Sequence, residues 1–327
     1  MAEVPEFLVM AKAVGARCNL RCAYCYYLDK ETITGRSPAR MERPVLERYI
    51  RGRLQGARTS TMHFEWHGGE PTLAGLDFFK TAVELERRYA RPGCAVTNGL
   101  QTNGLLIDDE WAAFLGAAGF SVGLSLDGPQ ALHDTVRRTA SGEPTQERVV
   151  RAFRLLRGQG VFVNILCVLS QANVGEPDAI YDFFRSIDAG YIQFLPLVTR
   201  TNETEVSELT PPPSAAGDFL CRIFDRWLAE DADRMVVQAF EEALRPLCGL
   251  EHSLCVHRPV CGDVLDFCHG GCLKDRFVSV PGEEQPLNYL CPSYRLFFRH
   301  CRPELTRLAE HLKAGKPLTD FRAARTT

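Results

Sequence analysis

The sequence predicts an α/β fold: a partial (βα)6 TIM-like barrel with a small Cys-rich C-terminal extension. Three observations carry that expectation. Six short apolar runs, rich in β-branched and aromatic residues, alternate with longer helical patterns as far as residue 230. Beyond about residue 232 the alternation gives way to a stretch in which Cys, Gly and Pro are interleaved. Six units are too few to close an eight-stranded barrel, so the barrel is expected to stay open along one side. An open side suits a substrate as large as a peptide.

In chain order, the expected strands are Phe7–Val14, Thr61–Trp66, Ala95–Gln101, Phe120–Leu126, Val161–Leu169 and Tyr191–Leu195. Helical patterns fall between them near 44–55, 76–90, 108–117, 145–158 and 176–187, and a sixth at 214–230 follows the last strand. Strands separated by helices run parallel, with the helices packed outside. Pro211-Pro212-Pro213 marks the entry to the sixth helix. The expected domains are therefore 1–231, the barrel, and 232–327, the extension. The extension is too poor in apolar residues to fold without a metal staple. A last helix is expected over 292–315.

Hydrophobic residues make up 45% of the 327, enough for a sizeable core, and the net charge is −3. That balance favours neither nucleic acid nor an anionic membrane surface as a partner. The opening residues MAEVPEFLVMAKAV contain acids and a proline and have no small-residue cleavage site. No apolar run is long enough to span a bilayer. A cytoplasmic protein is the expectation. Thirteen cysteines, an odd count in a reducing compartment, argue against a disulfide framework and for metal ligation or catalysis. Cys167, inside an apolar run, reads as a plain core residue.

Cys18, Cys22 and Cys25 stand in the run Arg17-Cys18-Asn19-Leu20-Arg21-Cys22-Ala23-Tyr24-Cys25-Tyr26, spaced C-x-x-x-C-x-x-C. The same spacing would place three buried thiols on one helix face, but Arg17, Asn19 and Arg21 make the segment a polar loop instead. Structural zinc wants a fourth ligand nearby, and none is present in the sequence. Three thiolates can hold three irons of a cubane, leaving the fourth iron open to a small molecule. That arrangement serves to cleave S-adenosylmethionine (SAM) reductively into a radical.

The ends of parallel barrel strands face the active site, and the remaining motifs fall there. Trp66-His67-Gly68-Gly69-Glu70-Pro71 follows the second strand, and Gln101-Thr102-Asn103-Gly104 ends the third. Ser125-Leu126-Asp127-Gly128-Pro129 ends the fourth, with His133, Asp134 and Arg137 close behind, and Gln193-Phe194-Leu195-Pro196 ends the sixth. Gly68 and Gly69 allow close backbone approach to a ligand, and Glu70 can accept from an ammonium group. An ordinary strand-to-helix turn also uses paired glycines. Arg137 can clamp a carboxylate bidentately, although most arginines are simply solvated.

These motifs together resemble those of the radical SAM superfamily, and specifically of the SPASM-type anaerobic sulfatase-maturating enzymes. The narrower resemblance rests on WHGGEP, QTNG, SVGLSLDGP followed by His133-Asp134, YIQFLPLV, SLCVHRPVCG, CHGGC and NYLCPSYRLFFRH. It implies that Cys18, Cys22 and Cys25 hold a [4Fe-4S] cluster that binds SAM, and that Tyr24, Gly69, Ser125, Arg137 and Leu195 contact SAM. It implies oxidation of a Cys or Ser of a sulfatase polypeptide to Cα-formylglycine. In that chemistry a 5′-deoxyadenosyl radical takes hydrogen from Cβ, and a proton and a second electron then leave. An electron donor such as flavodoxin or ferredoxin is implied as a partner. A radical SAM maturase of another peptide, or an impaired peptide-binding relative, are the alternatives.

The C-terminal cysteines resemble auxiliary-cluster ligands: Cys255, Cys261 and Cys272 for one cluster, Cys268 and Cys291 for the other. Between Cys261 and Cys268 only six residues remain, where the family has a longer insertion with a further ligand cysteine, an acidic base and a C-x-x-C pair. The usual base is therefore absent, with Asp263 and Asp266 as weak substitutes. At most one auxiliary [4Fe-4S] cluster is expected, the alternative being that the five cysteines regroup around a single cluster or around zinc.

Overall fold

The computed structural model describes residues 9–28, 40–56, 59–202, 205–251, 268, 270–279 and 286–323. Nine strands and ten α-helices are assigned among them, besides the 3-10 turns Pro71–Ala74 and Leu273–Asp275: β1 Met10–Ala11, α1 Arg43–Gly56, β2 Thr61–Trp66, α2 Leu76–Tyr89, β3 Ala95–Thr102, α3 Asp109–Ala117, β4 Phe120–Ser125, α4 Gln130–Val136, α5 Gln146–Gly158, β5 Phe162–Leu169, α6 Pro177–Ser186, β6 Tyr191–Pro196, α7 Ala215–Glu230, β7 Val236–Val237, α8 Gln238–Leu247, β8 Arg276–Val278, β9 Leu287–Asn288, α9 Cys291–Lys313 and α10 Leu318–Ala323. β1 to β7 form one sheet whose strand order is the chain order, and β8 and β9 form a separate hairpin. The chain divides into two compact units, Met1–Leu126 with His133–Ile165, and Asp127–Leu132 with Leu166–Thr327. The strand β5 begins in the first and ends in the second.

In the first unit β1, β2, β3 and β4 pair in parallel, with Met10 opposite Glu65, Thr61 opposite Ala95 and Asn98 opposite Phe120. Successive side chains of a strand point to opposite faces. On β2 one face sends Met62, Phe64 and Trp66 into the core, while His63 and Glu65 on the other stay half-buried. Helix α1 repeats apolar residues at Leu46, Ile50 and Leu54, four apart, and all three are buried. Helix α2 buries Phe78 and Phe79, whose rings meet Trp66 edge-on at 5.7 and 5.6 Å. Such offset aromatic contacts add about 0.5–1.5 kcal/mol each beyond burial. The Trp66 indole donates to Asn98 Oδ1 at 2.8 Å, and Asn98 Nδ2 donates to Glu86 Oε2 at 2.8 Å, which links the three side chains, while Glu86 Oε1 has no partner among the described residues.

The second unit carries β6 and β7, paired in parallel with Tyr191 opposite Val236. Helices α7 and α9 pack through Gly217, where an added Cβ would lie 2.7 Å from the Ser293 carbonyl oxygen. Ser293 Oγ donates to Pro213 O at 2.5 Å and accepts from Gly217 N at 3.0 Å. Phe224, Phe240 and Phe297 complete an aromatic core.

The six expected barrel strands are all present. The first is shorter than expected among the described residues, because the chain turns after Ala11; Phe7 and Leu8 lie outside them. The expectation that alternation stops after residue 232 is corrected by β7 and α8, which add a seventh strand–helix pair. A two-residue strand carries no readable periodicity, and Pro246 disguises the helix. Among the described residues no helix is long and apolar enough to cross a membrane.

Candidate iron–sulfur and cofactor site

The loop after β1 carries the three cysteines. Cys22 is buried, and Cys18 and Cys25 are half-buried. The loop is held from two sides. Arg21 N donates to Arg138 O at 2.9 Å and Ala23 N to Val136 O at 2.8 Å. On the other side Gly69 N donates to Gly15 O at 2.9 Å, and Glu70 N to Arg17 O at 2.7 Å. A Cβ on Gly69 would lie 2.0 Å from Arg17 O and 2.4 Å from Ala16 O. Glycine is therefore required at 69 because the cysteine loop runs against its backbone. Gly68 has φ +134 and also faces Gly15 O.

Glu70 is 1% exposed. Its Oε1 accepts from Thr72 N at 3.1 Å, Thr72 Oγ1 at 2.6 Å and Thr102 Oγ1 at 2.7 Å, and its Oε2 accepts from Asn103 N at 2.7 Å. This carboxylate ties the end of β2 to the end of β3. Burial pushes its proton affinity up, and the four donors oppose the shift.

Asn103 carries the connection to the cysteines. Its Nδ2 donates to Asn19 Oδ1 at 2.8 Å and lies 3.7 Å from Cys18 Sγ, while its Oδ1 accepts from Leu105 N at 3.0 Å. Leu20 N donates to the same sulfur at 3.3 Å. Burial raises the Cys18 thiol to about 11, with Glu70, Cys22 and Cys25 as further acidic neighbours. A metal centre would have to supply the positive charge that deprotonates it.

Arg137, 6% exposed, donates from Nη1 to the Tyr24 hydroxyl at 2.7 Å. The preceding motif anchors it. Asp134 Oδ1 accepts from Thr145 N and Gln146 N at the start of α5, and His133 Nε2 lies 3.1 Å from Thr145 Oγ1. Burial holds His133 neutral, down to about 2. Ser125, at the end of β4, accepts from Gln101 Nε2 at 3.2 Å. The structure thus brings Cys18, Cys22, Cys25, Tyr24, Gly68, Gly69, Glu70, Ser125 and Arg137 into the first unit. Leu195 lies on β6 in the second.

Cys268, Cys272 and Cys291 belong to the second unit, and all three, with Asp275, are acidic neighbours of the buried Tyr294 hydroxyl, which burial pushes up strongly. Gly271 is pressed against that ring, 2.7 Å from an added Cβ. Cys255, Cys261, Asp263 and Asp266 lie outside the described residues.

Among the described residues no three His, Cys, Asp or Glu side chains converge as a single metal ion requires. A cubane takes one thiolate at each of several irons, so its ligands need not meet at a single point. The loop that carries the three cysteines is bonded along its backbone and seated on a glycine, as a prepared cradle requires.

Sequence reading did not single out Thr72, Thr102 and Asn19 as partners of the site. Their roles depend on bonds spanning up to 84 positions of the chain.

Comparison with known proteins agrees with this geometry. Residues 13–184 match the model of the Radical SAM superfamily, and the chain belongs to that superfamily. A serine-type anaerobic sulfatase-maturating enzyme of Bacteroides thetaiotaomicron is 31% identical over 379 aligned positions, covering 93% of this chain and 91% of the relative. A cysteine-type counterpart of Clostridium perfringens is 28% identical and is covered over its whole length. The solved structure of native anSMEcpe with bound AdoMet and Cp18Cys peptide superposes with a TM-score of 0.84 at 28% identity, covering 94% of this chain and 100% of that one. Within the superfamily, the chain therefore has its place among the anaerobic sulfatase-maturating enzymes. The 379 aligned positions exceed the 327 residues of the chain, so the Bacteroides relative has residues with no counterpart here.

Proposed function

We propose that the chain oxidises a Cys or Ser side chain of a sulfatase polypeptide to Cα-formylglycine, using a [4Fe-4S] cluster on Cys18, Cys22 and Cys25 together with SAM. The observation that carries this is the cysteine loop clasped by the backbone of Gly69 and Glu70, in a chain whose relatives are serine- and cysteine-type maturases. When bound, the cluster and SAM supply one-electron cleavage and removal of a hydrogen atom from the substrate Cβ. The chain's own residues position and shield. Glu70 and Asn103 fix the cysteine loop against the strand ends. Arg137 holds Tyr24 beside the loop. Ser125 and Gly68 complete the proposed SAM surface of the first unit. Precise placement matters because a loosely held radical attacks whatever is nearest.

The remaining partners follow from the same reading: a flavodoxin or ferredoxin for electrons, and a cytoplasmic setting. The barrel is proposed to span 1–231 and the Cys-rich extension 232–327. One auxiliary cluster at most is drawn from Cys255, Cys261, Cys268, Cys272 and Cys291; the base is unassigned, with Asp263 and Asp266 as weak candidates. The test is anaerobic incubation of reconstituted protein with SAM, dithionite and a short sulfatase-motif peptide in Cys and Ser forms. Loss of about 18 Da from the Cys peptide is the mass change expected for conversion to the aldehyde, and about 2 Da from the Ser peptide. SAM cleavage with neither change refutes sulfatase maturation. In that event the reading that stands is a radical SAM maturase of a different peptide.

A further inference from the structure

We infer that Asn103 is a positioning residue that sets the reduction potential of the cluster by donating an N–H to the Cys18 sulfur. This rests on the reading that Cys18, Cys22 and Cys25 hold a cubane.

The amide's orientation is fixed by its surroundings. Asn103 Oδ1 accepts from Leu105 N at 3.0 Å and Nδ2 donates to Asn19 Oδ1 at 2.8 Å. Turning the amide over would set oxygen against oxygen at Asn19 and N–H against N–H at Leu105, so the NH2 group must face the cysteine loop. From there it reaches Cys18 Sγ at 3.7 Å, an N–H···S separation. Leu20 N approaches the same sulfur at 3.3 Å. The side chain has little room to move, since Asn103 is 5% exposed and its backbone N–H is bonded to the buried Glu70 carboxylate. Glu70 is in turn held by Thr72 and Thr102. The arrangement runs from a buried carboxylate through one rigid amide to one sulfur.

The physical consequence has a definite sign. Reduction adds an electron, and part of that charge resides on the thiolate sulfurs. A donor aimed at a sulfur stabilises the reduced state more than the oxidised one and raises the potential. In a poorly solvated setting the effect is larger than at a surface. Asn103 therefore eases the electron transfer that the reaction needs first.

The test is a dithionite redox titration of the anaerobically reconstituted full chain, followed by electron paramagnetic resonance on the signal that shifts when SAM is added. Asn103→Leu keeps the shape and removes the donor, and Asn103→Ser is a smaller second variant. At the solution potential that half-reduces the unmodified protein, the reduced-to-oxidised ratio is expected to fall about tenfold in both variants, the effect of losing one hydrogen bond to a charged acceptor. Iron content should stay unchanged. Gly52→Ala, on α1 with no atom within 4 Å of the added Cβ, should leave the ratio within twofold. Unchanged midpoints with full iron in either Asn103 variant overturn the inference. So does loss of iron in both, which would make Asn103 a structural support only. If the unmodified protein itself gives no SAM-responsive signal, the cubane reading fails instead.

Discussion

Replacing Gly69 by alanine tests the clasp between the strand end and the cysteine loop. The added methyl would lie 2.0 Å from Arg17 O and 2.4 Å from Ala16 O, where real Cβ contacts begin beyond about 3 Å. Both neighbours are backbone, so the loop must retreat by about 1 Å. Retreat breaks the Gly69 N to Gly15 O and Glu70 N to Arg17 O bonds, each contributing about 0.5–1.5 kcal/mol. Overpacking costs a further 1–3 kcal/mol or so. The sum, about 2–6 kcal/mol, is a large part of a typical domain's stability. Gly52 is the matched control: it sits inside α1 with no atom within 4 Å of an added Cβ. Its alanine variant should gain roughly 0.5–1 kcal/mol from helix propensity. The assay is urea unfolding of the metal-free protein without oxygen, followed by an iron count after reconstitution. Gly69→Ala should lower the unfolding midpoint and load little iron, while Gly52→Ala raises the midpoint and loads fully. A Gly69→Ala protein with unchanged midpoint and full iron would refute the clasp.

Two further substitutions probe the scaffold. Glu86 is 3% exposed, and burial raises its carboxyl from 4.5 to about 7. The unfolded chain releases this proton at lower pH than the folded one, so stability falls as pH rises from about 4.5 to about 7 and is flat above. The loss is at most roughly 3 kcal/mol, and Glu86→Gln should remove that slope in unfolding midpoints measured between pH 5 and 7. Ser293→Ala removes the hydroxyl bonds to Gly217 N and Pro213 O; each group keeps a backbone partner, Ser214 O and Ser293 N respectively, so the cost should be about 0.5–1.5 kcal/mol. A thermal midpoint unchanged from the parent would show that the α7–α9 contact is not held in this way.

Much of the fold was legible because its strands alternate cleanly. Thr61–Trp66 ends where its pattern ends, and Phe162–Leu169 begins one residue later than expected. What escaped was short or masked by composition: Val236–Val237 offers only two residues, and the helix after it contains Pro246. The cysteine triad was legible because its spacing is local. A need for small residues at 68 and 69 was also visible, but not what stands against them. The carbonyls of Ala16 and Arg17 come there only once the sheet has paired β1 with β2. Glu70 as a brace and Asn103 as a donor to Cys18 depend on separations of 33 and 85 residues, and no window along the chain contains such pairs.

The most direct test of the account is the spectrum of the reduced, oxygen-free protein with and without SAM. A cubane signal that changes when SAM is added, and that is lost when Cys18, Cys22 and Cys25 are all replaced by alanine, is the predicted result. A spectrum with no component that responds to SAM, or a SAM-responsive component that survives the loss of all three thiols, would contradict it.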